Sequence, residues 1–202
     1  MAKIIAGATG IVLAGGASRR FGADKALASW KGGERLVERV CARLRPLFPE
    51  LLVIVKHPAR FGFLEGPGVA VRQDLLSETH SLGGVLSGLR HCATQRAFVC
   101  ACDMPHLQSE VVRALWEASE GYDAAVAVWG GTIQSLCAVY SKNCIDALES
   151  MAGENRLAIN ALFARVRARF VDESELRKVD PGGLSFFDVD TPERLARAKE
   201  FA

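Results

Sequence analysis

The chain has 202 residues, half of them hydrophobic, which suits one globular domain spanning 1–202. Its 25 basic and 23 acidic side chains leave a net charge of +2. That balance excludes a nucleic-acid coat, so any basic site must be local. No apolar run approaches the ~18 residues of a membrane span, and aromatic residues are too sparse for stacking on a long single strand.

The elements follow in chain order. Residues 11–14 read as a buried strand, and 34–45 as a helix with Leu36, Val37, Val40, Cys41 and Leu44 on one face. The continuous apolar run 51–55 is expected to be a strand covered on both sides. A short strand follows at 69–72, then a helix at 84–93 and a buried strand at 97–101. A helix is expected at 109–119, with Ser109 as its N-cap. Strands are expected at 122–128 and 136–140, helices at 143–151 and 156–163, and a strand at 167–171. Pro181, Gly182 and Gly183 read as a loop before a last short strand. The final helix begins at Thr191, with Pro192 in its first turn. Alternating strands and helices predict a three-layer α/β domain with a mostly parallel sheet. Ligands bind such sheets beyond the carboxyl ends of the strands.

Residues 13–25 read L-A-G-G-A-S-R-R-F-G-A-D-K and follow the first strand. Glycines let the backbone approach a ligand closely, and exposed N–H groups form an anion-binding concavity. Arg19, Arg20 and Lys25 add charge suited to phosphate oxygens, and Ser18 can donate a hydrogen bond to one. The loop is not a Walker A element, because Lys25 is followed by Ala26, nor a G-x-G-x-x-G fingerprint. Together these features predict nucleoside triphosphate binding.

Asp103, in C-D-M-P after the 97–101 strand, is the candidate Mg²⁺ ligand. One carboxylate plus substrate phosphates commonly holds that ion; a turn-capping aspartate is the alternative. Asp188 and Asp190 in F-F-D-V-D-T-P would point the same way if extended. They could contact a metal or a substrate, or Asp190 could cap the final helix. Asp74 is a further strand-end carboxylate.

Six cysteines without C-x-x-C spacing or a histidine cluster do not predict a zinc site. Cys41, Cys100, Cys102 and Cys137 lie in apolar runs and read as core thiols of a reducing, cytoplasmic compartment. The N-terminus superficially resembles a secretion signal, but Gly7, Thr9 and Gly10 interrupt its apolar stretch. Cleavage there would also sever the glycine loop from its strand. The four histidines are scattered, and none is assigned to catalysis.

The pattern L-A-G-G-x-S-x-R-x-G-x-D-K at 13–25 resembles the nucleotide loop of the molybdenum cofactor guanylyltransferases, the MobA family. The resemblance continues through Asp74, Leu82-Gly83-Gly84, C-D-M-P at 102–105 and D-V-D-T-P-E-R-L at 188–195. It implies a Rossmann-like nucleotidyltransferase that joins GMP from GTP to the terminal phosphate of (Mo-)molybdopterin and releases pyrophosphate. Leu13, Ala14, Gly15, Gly16, Ser18, Lys25, Asp74 and Asp103 would contact GTP. Arg20, Lys25 and Asp103 would be catalytic, with Asp103 on Mg²⁺. Asp188 and Asp190 would lie on the acceptor side. The second glycine of L-A-G-G favours guanine, since relatives that use CTP tend to show L-A-A-G. GTP, the molybdopterin cofactor and other molybdenum-cofactor proteins are the implied partners. The alternatives are a cytidylyl- or sugar-phosphate nucleotidyltransferase of the same fold, or a non-catalytic nucleotide-binding protein. The chain departs from the family at His80-Ser81, where G-P is common, at Val55-Lys56, where an Asn is expected, and at D-V-D, where N-x-N is common. The extra negative charge at 188–190 suits a cation.

Overall fold

The computed structural model describes residues 4–16, 21–76 and 80–201. Seven strands form one sheet: β1 (Thr9–Leu13), β2 (Glu50–Val55), β3 (Val69–Gln73), β4 (Arg96–Ala101), β5 (Ala124–Trp129), β6 (Thr132–Ser141) and β7 (Ala168–Val171). Their order is β3-β2-β1-β4-β6-β5-β7. β6 pairs antiparallel with both β4 and β5, while the other pairings are parallel. Six strands therefore run one way, and β6 alone runs against them. This is the mostly parallel sheet expected from the alternating pattern.

Strand periodicity sorts the core into two layers. Val12, Val53, Phe98, Cys100 and Val139 face α1 (Leu36–Leu44) and α3 (Ser109–Ala118). Ile11, Leu13, Ile54, Val99 and Tyr140 face α2 (Ser81–His91) and α4 (Ile145–Gly153). Each fully buried Leu, Ile, Val or Phe of these layers contributes roughly 1.5–3 kcal/mol. All six cysteines are buried and free, as the apolar context of four of them predicts. No helix among the described residues is long and apolar enough to cross a membrane.

Helix α2 carries glycines that cost helix propensity, about 1 kcal/mol each, and gain close packing. A Cβ at Gly84 would stand 3.0 Å from Leu13 Cδ1, and one at Gly88 2.9 Å from Ile11 Cγ2. Their i, i+4 spacing places both over β1. The helix start is thereby drawn against the end of the strand that carries the glycine loop.

Three local expectations need correction. Helix α3 begins at Ser109, but its N-cap is Gln108. Gln108 is fixed by tertiary bonds: its N–H donates to Ser185 Oγ (3.0 Å) and its amide to Asp180 Oδ1 (2.8 Å). The segment after Gly183 is a 3₁₀ turn at Leu184–Phe186, not a strand. There the Asp180 carboxylate accepts from the N–H groups of Leu184 (3.2 Å) and Ser185 (2.8 Å) and folds the chain over. The 156–163 helix shrinks to a 3₁₀ segment at Ile159–Ala164, preceded by extended backbone at Ala158. The strands expected at 122–128 and 136–140 are both present, as β5 and β6, and form one hairpin joined by Gly130-Gly131, both with positive φ. Two such glycines match the twist of a tight hairpin. The last two elements are α5 (Glu173–Leu176) and α6 (Pro192–Glu200).

Candidate active site

Lys25 opens a 3₁₀ turn at Lys25–Leu27 that Asp24 caps, accepting from the Ala26 N–H at 3.3 Å. Arg60 holds the other Asp24 oxygen at 3.1 Å. The D-K order is thus a capping device that aims the lysine. Its ammonium pairs with Asp103 and with Asp190 Oδ1, the latter at 3.2 Å. Burial by itself would lower the Lys25 pKa, but the charge and hydrogen bond of Asp103 outweigh it and raise the value. Lys25 stays cationic at physiological pH.

Asp103 follows β4 directly. Its position is fixed by backbone bonds on both sides: the Cys102 N–H donates to Leu13 O (3.1 Å), and the Val189 N–H donates to Asp103 O (2.9 Å). The C-terminal segment therefore docks on the aspartate turn. A small cluster locks it there, with Trp30 and Leu36 packed on Val189, Leu195 and Ala198. His106 adds a tie: its Nε2–H donates to Ala198 O at 2.8 Å. Thr191, not Asp190, caps α6, accepting from the Arg194 N–H at 3.3 Å. Asp190 is therefore available to Lys25.

A cavity of about 250 Å³ opens at the carboxyl ends of β1 and β4. Leu13, Ala14, Gly15, Gly16, Lys25, Asp74 and Asp103 all line it. Ser18 and Arg20, also expected there, lie outside the described residues. A Cβ at Gly16 would meet nothing within 4 Å, and one at Gly15 only ordinary contacts with Lys56 and Val55. The protein itself does not demand glycine here; what a side chain would fill is the cleft.

Asp74 sits in the wall with a closed set of partners. Lys56 Nζ pairs with Oδ2 at 2.8 Å, Ser87 Oγ donates to Oδ1 at 2.7 Å, and the Leu76 N–H donates to Oδ1 at 3.1 Å. Lys56 also donates to Leu76 O at 2.6 Å. The Asp74 side chain is only 4% exposed, so this carboxylate ties β3 to α2 as well as bordering the cleft. Lys56→Met leaves a buried charge short of its counter-ion. It is expected to destabilise the protein by about 2–4 kcal/mol in a urea titration, while an unchanged midpoint would show the pair to be idle.

Asp188 lines a second cavity of about 190 Å³, with Ala101, Asp103, Met104 and residues 133–136. Its carboxyl makes no hydrogen bond among the described residues. Burial, followed by the charges of Asp103 and Asp190, pushes its pKa up to about 7. The i, i+2 pair does converge on one centre, though the two carboxyls differ in partners.

Sequence reasoning missed His80, whose Nδ1 caps α2 by accepting from the Gly83 N–H at 2.9 Å and whose ring borders the first cavity. It also missed Leu136, which borders both cavities. His80 directly precedes a helical run, a capping signal that histidine seldom carries. No local signal marks Leu136.

A parallel-dominated sheet with a glycine-lined cleft and an apposed lysine and aspartate defines a nucleotidyltransferase of the α/β type. The chain belongs to the MobA-like NTP transferase domain family, whose model matches residues 10–170. It is 36% identical to the probable molybdenum cofactor guanylyltransferase of Pelotomaculum thermopropionicum, over 96% of this chain and 93% of that one. It is 31% identical to the molybdenum cofactor guanylyltransferase of Desulfosudis oleivorans, over 95% and 94%. The crystal structure of molybdopterin-guanine dinucleotide biosynthesis protein A from Archaeoglobus fulgidus superposes with a TM-score of 0.83 at 27% identity, covering 96% of this chain and 97% of that one.

Proposed function

We propose that this protein transfers GMP from GTP to the terminal phosphate of molybdopterin, forming the guanine dinucleotide and releasing pyrophosphate. The observation that carries the reading is the meeting of Lys25 and Asp103 in the lining of the glycine-lined cleft. The names of the relatives, on chains matched almost end to end, supply the substrate pair.

An oxygen of the acceptor phosphate attacks the α-phosphorus of GTP. The bond to the bridging oxygen breaks, and pyrophosphate departs with the electron pair. The attacking oxygen is already ionised at neutral pH, so no general base is needed; the task is alignment and charge neutralisation. The backbone at Gly15 and Gly16 lets phosphates approach closely. Lys25, together with Arg20 beyond the described residues, stabilises charge developing on the α-phosphate and the leaving group. Ser18 donates to a phosphate oxygen. Leu13, Ala14 and Asp74 border the nucleoside.

The donor chemistry at Asp103 fits Mg²⁺, a hard cation that prefers oxygen ligands. Asp188 lines a cavity with Asp103, and its carboxyl makes no hydrogen bond among the described residues. Among the described residues no three His, Cys, Asp or Glu side chains form a metal site by themselves, so phosphate oxygens would complete the coordination. A bound Mg²⁺ would supply further neutralisation of the triphosphate.

The test is pyrophosphate release from each of the four nucleoside triphosphates, with and without molybdopterin. Release from GTP that requires the acceptor is expected. Equal or better release from CTP would assign the protein to a cytidylyl reaction instead, and GTP binding without release would make it a non-catalytic binder.

A further inference from the structure

The second cavity exists because of an irregularity in β6. Strand β5 pairs Val126 with Ala138, and then Ala127 with Gln134. One step along β5 thus matches four along β6, so residues 135–137 are extra on that side. On the β4 side the ladder is unbroken as far as Cys100↔Cys137. The surplus is displaced at one end only. It is held there by Tyr140, fully buried, whose hydroxyl donates to Ser135 O at 2.8 Å. A bulge that is braced by a buried side chain re-aims the residues it carries. Because β6 alone runs against the other strands, its first residues lie at the carboxyl ends of the parallel strands, beside Asp103.

The result is two cavities that share Ala101, Asp103 and Leu136. Leu136 stands as the ridge between them, and Asp103 touches both. A reaction that joins two phosphate-bearing molecules needs this layout, with the reacting phosphates at the junction and the rest of each substrate on its own side. The Ser135 hydroxyl makes no hydrogen bond among the described residues. The Gln134 amide reaches only Trp129 O and Thr132 O, both at 3.5 Å, the outer limit of a hydrogen bond. Its oxygen has no partner among the described residues. The lining therefore offers one hydroxyl and one re-aimable amide, which can donate and accept side by side. At about 190 Å³ the space falls below the ~300–1,000 Å³ of a pocket enclosing a whole drug-sized ligand; it suits one ring system.

We propose that the β6 bulge forms the acceptor subsite, with Gln134 and Ser135 hydrogen-bonding the donor–acceptor edge of a polar heterocycle while Leu136 separates it from the nucleotide. The proposal rests on the guanylyltransferase reading and names residues for its second substrate.

The experiment measures GTP affinity by calorimetry, and kcat and acceptor KM by pyrophosphate release, for wild type, Gln134→Leu and Ser135→Ala. Gln134→Leu is expected to raise the acceptor KM about tenfold, and Ser135→Ala severalfold, with GTP affinity within twofold of wild type. Unchanged GTP affinity also certifies that each variant is folded. Ser135→Ala removes one atom from a partly exposed side chain and carries the test alone if Gln134→Leu does not fold. Wild-type acceptor KM in the folded variants overturns the subsite, as does an equal loss of GTP affinity, which would place the bulge on the nucleotide side. A wild-type protein that releases no pyrophosphate with molybdopterin would instead overturn the guanylyltransferase reading itself.

Discussion

Lys25→Ala is expected to lower kcat/KM for GMP transfer by about 10²–10³, with most of the loss in kcat. The ammonium is held by Asp103 and Asp190 in the lining of the cleft, and its side chain is only 17% exposed. A positioned cation in a partly desolvated site acts on charge that grows during the reaction, where water screens it weakly. The substitution also removes the counter-charge from a centre that holds Asp103, Asp188 and Asp190. A smaller loss of stability, about 1–2 kcal/mol at neutral pH, should accompany the kinetic effect. Steady-state kinetics beside a urea titration separates the two. Turnover equal to wild type would remove Lys25 from the chemistry, and a loss of activity matched by loss of the fold would reduce it to a structural role.

The second large effect is a pH dependence set by Asp188. Its carboxyl titrates near 7 in the folded protein, against ~3.9 in an unfolded chain. The folded state therefore binds a proton more tightly than the unfolded state. The associated stability is fully present below pH 4 and drains away as pH rises through 7. Other carboxylates with lowered pKa values, such as Asp123 at about 2, act in the opposite sense and only at strongly acidic pH. Between pH 5 and 8 Asp188 draws stability down as pH rises, while His106, whose pKa burial lowers, acts in the opposite sense; the Asp188 share, read as the difference between wild type and Asp188→Asn, is about 1–3 kcal/mol across that window. Asp188→Asn keeps the shape, cannot ionise and should flatten the curve, making the variant more stable than wild type at pH 8. Parallel curves for the two proteins would show that the carboxyl titrates normally and that Asp103 and Asp190 do not press on it.

The glycine loop and the C-D-M-P aspartate were legible because each is a local device. Glycine lets the backbone come close to a ligand, and a carboxylate after an apolar strand must find a partner. The α/β layering was legible for the same reason, since hydrophobic period is a property of short windows. What stayed hidden depends on neighbours distant in sequence. That Asp190 would face Lys25, 165 residues away, while Thr191 takes the cap, follows from docking of the C-terminal segment against Val189, Trp30 and Leu36.

By itself the chain determined its alternation of strands and helices, its glycine- and cation-rich loop and the residue types available for chemistry. Only the tertiary structure decided that β6 runs against its neighbours, that its bulge splits the cleft at Leu136, and that three aspartates crowd one lysine. Those outcomes come from sheet order and from buried anchors such as Tyr140, Asp180 and Asp74. Their energy depends on partners that meet only once the layers have packed.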